Sequence, residues 1–174
     1  QKIGSIYEGT NGIQALDLVS RKFNVKKGCL LENLSHELNW FDQNPPEDVL
    51  VGWVREWESY REMMFDSITN LKQNGDRSGH SGYVLYAVNM LQLMGDVLCS
   101  FYLLKQAQVA QQKWKQLAPN QVSPQTLVKE NEEARFYWNK LKTVEYYVWS
   151  VLPRTLYHER VISNACLTPL EAAL

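Results

Sequence analysis

Apolar residues recur at intervals of three and four along most of this chain, and that spacing limits the possible folds more than any other feature. The interval matches the period of an α-helix, whereas the apolar residues of a half-buried strand would alternate with polar ones. The longest stripe comprises Leu50, Trp53, Trp57, Tyr60, Met64, Ile68 and Leu71. A stripe of this length predicts a long helix that packs lengthwise against other helices.

Prolines and glycines divide this pattern into four or five helices. The predicted ranges are about 10–27, 30–41, 47–72, 83–117 and 124–152, with a helical continuation from 154 through 162. We expect Gln73–Gly75 to end the third helix, and a polar loop to span residues 76–82. Pro153 should end or kink the fifth helix, because proline lacks the amide hydrogen that a helix needs.

The fourth predicted helix is apolar on two sides as far as residue 104, so it should lie in the middle of the domain. The first helix has one apolar face that we expect to be buried, formed by Ile13, Leu16, Ser20 and Phe23. Short loops between long helices favour antiparallel neighbours. The sequence therefore predicts an all-α protein, an up-and-down bundle of four to five helices of which three are long.

Charge and cysteine content argue against several classes of protein. The 18 basic and 19 acidic residues give a net charge of −1 without a cationic stripe, so no nucleic-acid partner is predicted. The three cysteines, at positions 29, 99 and 166, match neither a disulfide framework nor a zinc site and suit a reducing cytoplasm. Polar residues interrupt every long apolar run, so no membrane span is predicted. Because the chain begins at Gln1 rather than Met, we expect it to be part of a longer protein.

Few single residues outside one motif carry a chemical prediction. His36, His80 and His158 are far apart and lack the spacing of metal ligands, so we predict no metal site. Asp96 is unusual because it lies on an apolar helix. We expect it to form a structural ion pair with Arg135 or Arg154, since an unpaired buried carboxylate would be costly.

The string that carries chemistry is Ile-Tyr-Glu-Gly-Thr-Asn-Gly-Ile-Gln at residues 6–14, followed by Ala-Leu-Asp-Leu-Val-Ser-Arg-Lys up to residue 22. Glu8 stands immediately before a glycine and a helix that Thr10 or Asn11 could cap. Such a turn lets the backbone approach a ligand closely, and the following helix holds the carboxylate in a defined position. Without its neighbours, Glu8 would be read as an ordinary turn residue, and Thr10 as a helix cap.

The same string closely resembles the signature of the flavin-dependent acyl-CoA dehydrogenases, in which a Tyr-Glu-Gly-Thr turn leads into a helix that opens with Ile-Gln. The resemblance implies an enzyme that uses FAD to oxidise an acyl-CoA to the 2,3-enoyl-CoA. It assigns Glu8 as the base that removes the α-proton, with a pKa raised by burial under substrate and flavin. It also implies that Gly9 keeps the turn open for the acyl chain, and that Thr10 and Gln14 lie near the flavin.

Two later strings, at 95–104 and 134–153, more loosely resemble the additional C-terminal helical domain of a bacterial subgroup of these dehydrogenases. The resemblance divides the chain into residues 1–27, the end of the catalytic helical domain, and residues 28–174, the C-terminal bundle. It implies an acyl-CoA substrate, an electron-transfer acceptor, a homo-oligomer and a cytoplasmic location for the whole enzyme. The isolated chain is predicted to be inactive and to bind no flavin, with Glu8 exposed.

The sequence is also compatible with two other interpretations. Residues 28–174 could form a non-catalytic helical assembly or interaction module, whose deletion would affect oligomer stability rather than turnover. The whole chain could also be an unrelated regulatory bundle in which the Tyr-Glu-Gly-Thr string occurs by chance.

Overall fold

The computed structural model describes residues 10–118 and 123–171, and every regular element within those ranges is helical. The α-helices are α1 (Asn11–Ser20), α2 (Cys29–Leu38), α3 (Trp40–Gln43), α4 (Val49–Val84), α5 (Ala87–Leu117), α6 (Pro124–Glu130), α7 (Glu132–Tyr146), α8 (Thr155–Asn164) and α9 (Thr168–Glu171). Lys22–Gly28 and Leu152–Arg154 are 3-10 helices, and Tyr147–Val151 is a π-helical turn. The predicted all-α class is confirmed.

Helix α5 lies in the middle of the bundle, as its two apolar sides predicted. It packs against α1, α4, α7 and α8. Its large buried side chains are Met90, Leu93, Val97, Phe101 and Leu104. Because so many helices pack on α5, it holds both the first helix and the last segments of the described chain in place.

Hydrogen bonds show that α4 and α5 are antiparallel. Trp57 Nε1 donates to the carbonyl oxygen of Val97 at 3.0 Å, and Gln111 Nε2 donates to that of Glu47 at 3.2 Å. A residue nearer the end of α4 therefore contacts a residue nearer the start of α5. The indole ring of Trp57 also stacks on Phe101, with ring centroids 5.3 Å apart.

Helices α5 and α7 are antiparallel as well. The rings of Trp114 and Trp138 lie 5.0 Å apart at one end of the pair. At the other end, Arg154 contacts Asp96. The three long helices thus alternate in direction, which confirms the predicted up-and-down arrangement.

The buried stripe of α4 was predicted correctly, but the end of this helix was wrong. All seven residues of the stripe, from Leu50 to Leu71, are buried. The helix does not end at Gln73–Gly75, however, and the predicted loop at 76–82 is helical. Packing against α8, where Asn74 Nδ2 donates to the Ile162 carbonyl at 3.4 Å, outweighs the weak helix propensity of this polar segment.

The predicted buried face of α1 was also partly wrong. Phe23 is buried as expected, but Ile13 and Leu16 are exposed at 67% and 42%. The buried positions of α1 are Ala15 and Val19, and α1 packs against α5 and α4. Small and β-branched residues bring α1 close to its neighbours and turn the larger apolar side chains outward.

The first helix ends earlier than predicted because side chains compete for its last carbonyl groups. Ser20 Oγ donates to the carbonyl of Leu16, and Asn24 Nδ2 donates to that of Ser20 at 3.1 Å. The chain then continues as the 3-10 helix to Gly28, whose φ of 95° is left-handed. Gly28 therefore ends the helical run, as predicted, because glycine adopts this conformation without a Cβ clash.

Two other predicted helices are divided in the structure. Residues 30–41 fall into α2 and α3, which are separated at Asn39. Residues 124–152 form α6 and α7, because Asn131 has an extended backbone and its side chain caps α7. Pro153 follows the π-helical turn and lies in a 3-10 helix, so the regular α-helix ends before this proline, where an end or a kink was predicted. The predicted helical continuation through Ile162 is confirmed in α8.

Helix α5 is long and apolar enough to cross a membrane by length and composition, and half of its most apolar window is buried in the bundle. The buried core helix of a helical bundle meets the same criteria. Because α5 packs against four other helices, we interpret it as such a core helix.

Candidate functional site

The motif residues Glu8 and Gly9 lie outside the described residues, so their predicted roles stay predictions. Thr10 and Gln14 are described. Thr10 occupies the N-cap position of α1, with an αR backbone and no capping hydrogen bond from its side chain. Gln14 lies about one helical turn further on, and both residues are exposed. The structure therefore places the two predicted flavin contacts on an accessible edge of α1.

This edge of α1 is apolar at its start and charged at its end. Ile13, next to Gln14, and Leu16 contribute the exposed apolar surface. Further along, Arg21 binds both carboxylate oxygens of Asp17, with the shorter distance 2.5 Å. The hydrogen bond from Arg21 lowers the pKa of the Asp17 carboxyl below its ordinary value. The uncharged first turn could contact an apolar or aromatic surface, while the ion pair marks the solvent-facing end.

A second polar site lies between α5 and the junction of α7 with α8. Arg154 Nη2 donates to both carboxylate oxygens of Asp96, at 2.9 and 3.1 Å. The Tyr147 hydroxyl donates to Asp96 Oδ1 at 3.4 Å. The Asp96 side chain is only 10% exposed, whereas Arg154 is 61% exposed. The buried carboxylate is thus satisfied by a cation that still reaches solvent.

The predicted ion pair of Asp96 is confirmed with Arg154 and not with Arg135. Arg135 instead lies 3.5 Å from Glu132 in an exposed pair within α7. The π-helical turn and the 3-10 helix together bring Tyr147 and Arg154 to the same carboxylate. Turns of this kind are frequent at functional sites and at helix kinks.

His158 and Asn89 extend this polar site by one turn. Asn89 Nδ2 lies 3.2 Å from His158 Nδ1. An amide nitrogen only donates, so the ring nitrogen accepts and the imidazole is neutral in this arrangement. Burial lowers the pKa of His158; Asp96 acts in the opposite direction, and Arg154 adds to the lowering. Burial, and then the charge of Asp96, raise the pKa of Tyr147.

These groups are arranged for structure rather than for catalysis. The carboxylate is occupied by Arg154, and the tyrosine is held in its neutral form. Within residues 10–118 and 123–171, no group of three or more His, Cys, Asp or Glu side chains could hold a metal ion. Sequence reasoning missed Tyr147 and Asn89, although the spacing of seven between Asn89 and Asp96 places both on one face of the same helix.

Two surface cavities lie away from this site. An apolar groove of about 330 Å³ between α5 and α7 is lined by Gln106, Val109, Ala110, Phe136, Tyr137 and Lys140. A polar depression of about 410 Å³ is lined by His36, Glu37, Asn39, Trp40, Asp42 and Gln43. In the first groove, Lys140 Nζ donates to Gln106 Oε1 at 3.2 Å.

Comparison with known families identifies the bundle. A family model described as "acetyl-CoA dehydrogenase C-terminal like" matches residues 47–173, well over half of the chain. The chain belongs to this family. The resemblance that its motifs suggested is therefore confirmed. The matched range lies inside the predicted bundle of residues 28–174, and the exact division of the chain stays a prediction.

Two butyryl-CoA dehydrogenases of Syntrophomonas wolfei are similar along most of the chain. One is 26% identical over 164 residues, which is 94% of this chain and 25% of the relative. The other is 26% identical over 152 residues, which is 87% of this chain and 23% of the relative. The chain thus spans about a quarter of the length of these relatives.

Proposed function

We propose that this chain is part of a longer flavin-dependent dehydrogenase that oxidises an acyl-CoA thioester to the 2,3-enoyl-CoA. The observation that carries the proposal is the motif at residues 7–14, joined in one chain to a bundle of the dehydrogenase C-terminal family. In this reaction a base removes the α-proton, and the β-hydrogen leaves with its electron pair. FAD supplies the acceptor for that hydride when it is bound.

Each motif residue has a proposed part in the reaction. Glu8 accepts the α-proton, and its backbone N–H donates to the thioester carbonyl oxygen as negative charge develops there. Gly9 leaves room for the acyl chain beside the turn. Thr10 and Gln14 hold the flavin. Their exposure on the open edge of α1 supports this assignment, because a surface that binds a cofactor must be accessible before the rest of the site covers it.

A carboxylate needs a dry environment to act as this base. An exposed Glu has a pKa of about 4.3 and is a weak base at neutral pH. Substrate and flavin packed over Glu8 would raise its pKa by desolvation. We therefore infer that the isolated chain is inactive, since those covering groups are contributed by the longer protein. The same reasoning predicts that the isolated chain binds no flavin.

The proposed whole enzyme also needs an electron-transfer acceptor to reoxidise its flavin, and we propose a cytoplasmic location. The test is anaerobic mixing of the purified full-length protein with a series of acyl-CoAs of different chain length. The proposal predicts a bound flavin that bleaches on mixing, with enoyl-CoA formed in equal amount. A full-length protein without flavin, or one whose flavin no acyl-CoA bleaches, would rule out this function.

The alternative is that residues 28–174 form an assembly module without a part in turnover. One observation favours it: most of the single buried core comes from α4, α5, α7 and α8, and the described part of residues 1–27 contributes only Ala15, Val19 and Phe23 to it. Deletion of residues 28–174 from the full-length enzyme separates the two. Loss of turnover with the oligomer intact would make the bundle part of the catalytic unit. Retained turnover in a dissociated enzyme would make it an assembly module.

A further inference from the structure

One side of α5 is exposed along most of its length. Between residues 88 and 109, the exposed positions are Val88, Gln92, Gly95, Cys99, Tyr102, Gln106 and Val109. They alternate at spacings of four and three, the 3.5-residue period of a helix that packs against another helix along a seam. We call these seven residues the α5 seam. It extends for about 32 Å at the rise of an α-helix.

The α5 seam has the chemistry of an interface rather than of a solvated surface. None of its seven residues is charged. Val88, Tyr102 and Val109 are 48%, 52% and 57% exposed. A solvent-facing side of a surface helix usually carries charged residues, and a helix that is apolar all round is usually covered on every side.

The order of residues along the α5 seam indicates what covers it. The seam is nearly the same when read from either end, with Cys99 at its centre. Gln92 and Gln106 both lie seven residues from Cys99. Val88 and Val109 lie eleven and ten residues away. The remaining positions, Gly95 and Tyr102, lie four and three residues from Cys99. They are the smallest and the largest residue of the seam, so each could fit against the other across an interface.

We propose that the α5 seam is the interface of a symmetric dimer, in which the α5 helices of two copies of this chain pack antiparallel about a two-fold axis near Cys99. A two-fold axis requires that residue i contact residue j and that j contact i. The seam satisfies this condition: Val88 meets Val109, Gln92 meets Gln106, and Cys99 meets its own copy. Tyr102 of each copy packs over the bare backbone at Gly95 of the other.

Contacts within one copy agree with this pairing. Nothing lies within 4 Å of a Cβ placed on Gly95, so the space above this glycine is open to a tyrosine ring. The Oε1 atom of Gln106 already accepts from Lys140, which orients its amide nitrogen to donate to Gln92 of the second copy. The apolar groove beside Val109, walled by the half-exposed Phe136, would receive side chains near Val88 of that copy.

This interface depends only on the surface of α5, so its test does not depend on the proposed dehydrogenation. Gly95→Leu fills the space that Tyr102 of the second copy needs. Gly52→Leu is the matched control, because Gly52 is also an exposed helical glycine with nothing within 4 Å of its Cβ. Sedimentation velocity should show a dimer for the wild type and for Gly52→Leu. It should show a dissociation constant raised about tenfold or more for Gly95→Leu.

Disulfide trapping tests the position of the axis. Cys99 and Cys166 are both exposed, so each serves as a control for the other. Mild oxidation should link two chains through Cys99. Cys99→Ser should abolish the covalent dimer, and Cys166→Ser should leave it unchanged. A covalent dimer that depends on Cys166 alone would overturn the proposal.

A second pair of cysteines tests the direction of the helices. In the Cys99→Ser background, a mixture of Gln92→Cys and Gln106→Cys chains should form mixed disulfides faster than either variant does alone. Faster linkage of Gln92→Cys with itself would indicate parallel helices and contradict the proposal. A wild-type chain that stays monomeric at high concentration would also contradict it. The α5 seam would then be a contact surface for another part of the longer protein.

Discussion

Asp96 is the residue at which burial and charge conflict most directly. It lies on the central helix, and its carboxylate accepts hydrogen bonds from Arg154 and from Tyr147. The two partners come from different elements, so one carboxylate fixes the π-helical turn and the following 3-10 helix against α5. The cost of removing Asp96 from water is offset by charge-assisted hydrogen bonds.

Arg154 pairs with a buried carboxylate, whereas Arg135 pairs with an exposed one, so their removal should have different effects on stability. Arg154→Met should lower the free energy of unfolding by about 2 kcal/mol, because it leaves a buried carboxylate without its cation. Arg135→Met should cost less than about 0.5 kcal/mol, since it removes an exposed pair. Urea unfolding followed by circular dichroism measures both. Equal losses for the two variants would show that the Asp96 pair contributes no more than a surface pair.

The environment of His158 predicts how the stability of the chain depends on pH. Its pKa is lowered in the folded chain, so below pH about 6.5 the unfolded chain binds a proton that the folded chain resists. Stability should therefore fall as the pH decreases through this value, until the folded state also becomes protonated. His158→Gln should remove part of this fall. Melting temperatures at pH 7.5 and 5.5 would test it, and identical pH responses of His158→Gln and wild type would refute it.

Helix boundaries are set by capping side chains as much as by apolar periodicity. Asn131 Oδ1 accepts from the amide of Ala134 at 2.9 Å and begins α7, and two acidic residues follow in the first turn. Ser123 begins α6 in the same manner. The break between α6 and α7 was therefore visible in the sequence as an Asn followed by two glutamates. Periodicity alone hid it, because the apolar residues continue across the break.

Asn131→Ala should destabilise the chain by about 1 kcal/mol, because it removes the cap of α7. Asn139→Ala, at an exposed position inside the same helix, is the control and should be neutral or slightly stabilising, since alanine has the higher helix propensity. Thermal unfolding of the two variants gives the comparison. A neutral Asn131→Ala would mean that packing alone fixes the start of α7.

The sequence predicted those features that depend on many residues together. The buried stripe of α4 and the central position of α5 follow from periodicity, and the Asp96 pair follows from the cost of burying a charge. The end of α4 and the buried face of α1 depend on which neighbour is present. Nothing local to Asn74 indicates that α8 will pack there, and nothing local to Leu16 indicates that α5 prefers Ala15 and Val19.

At the scale of the whole molecule, the proposed function divides the site between this chain and the rest of a longer protein. The bundle supplies a packed core, α1 supplies an accessible edge, and the motif that we propose to be catalytic begins just before that edge in the sequence. The motif assigns Glu8 as the base, and this assignment stays a prediction because Glu8 lies outside the described residues. The groups that desolvate the base could not be predicted, since the chain spans about a quarter of its relatives.

The measurement that tests this account most directly is the rate of flavin bleaching by acyl-CoA in the full-length enzyme with Glu8→Gln. The amide keeps the shape of the side chain but cannot accept the α-proton, so flavin should stay bound while bleaching slows by about 10²- to 10⁴-fold. Glu32→Gln, an exposed position on α2, should bleach at the wild-type rate. Bleaching of Glu8→Gln at an undiminished rate would contradict the account, because another residue would then be the proton acceptor.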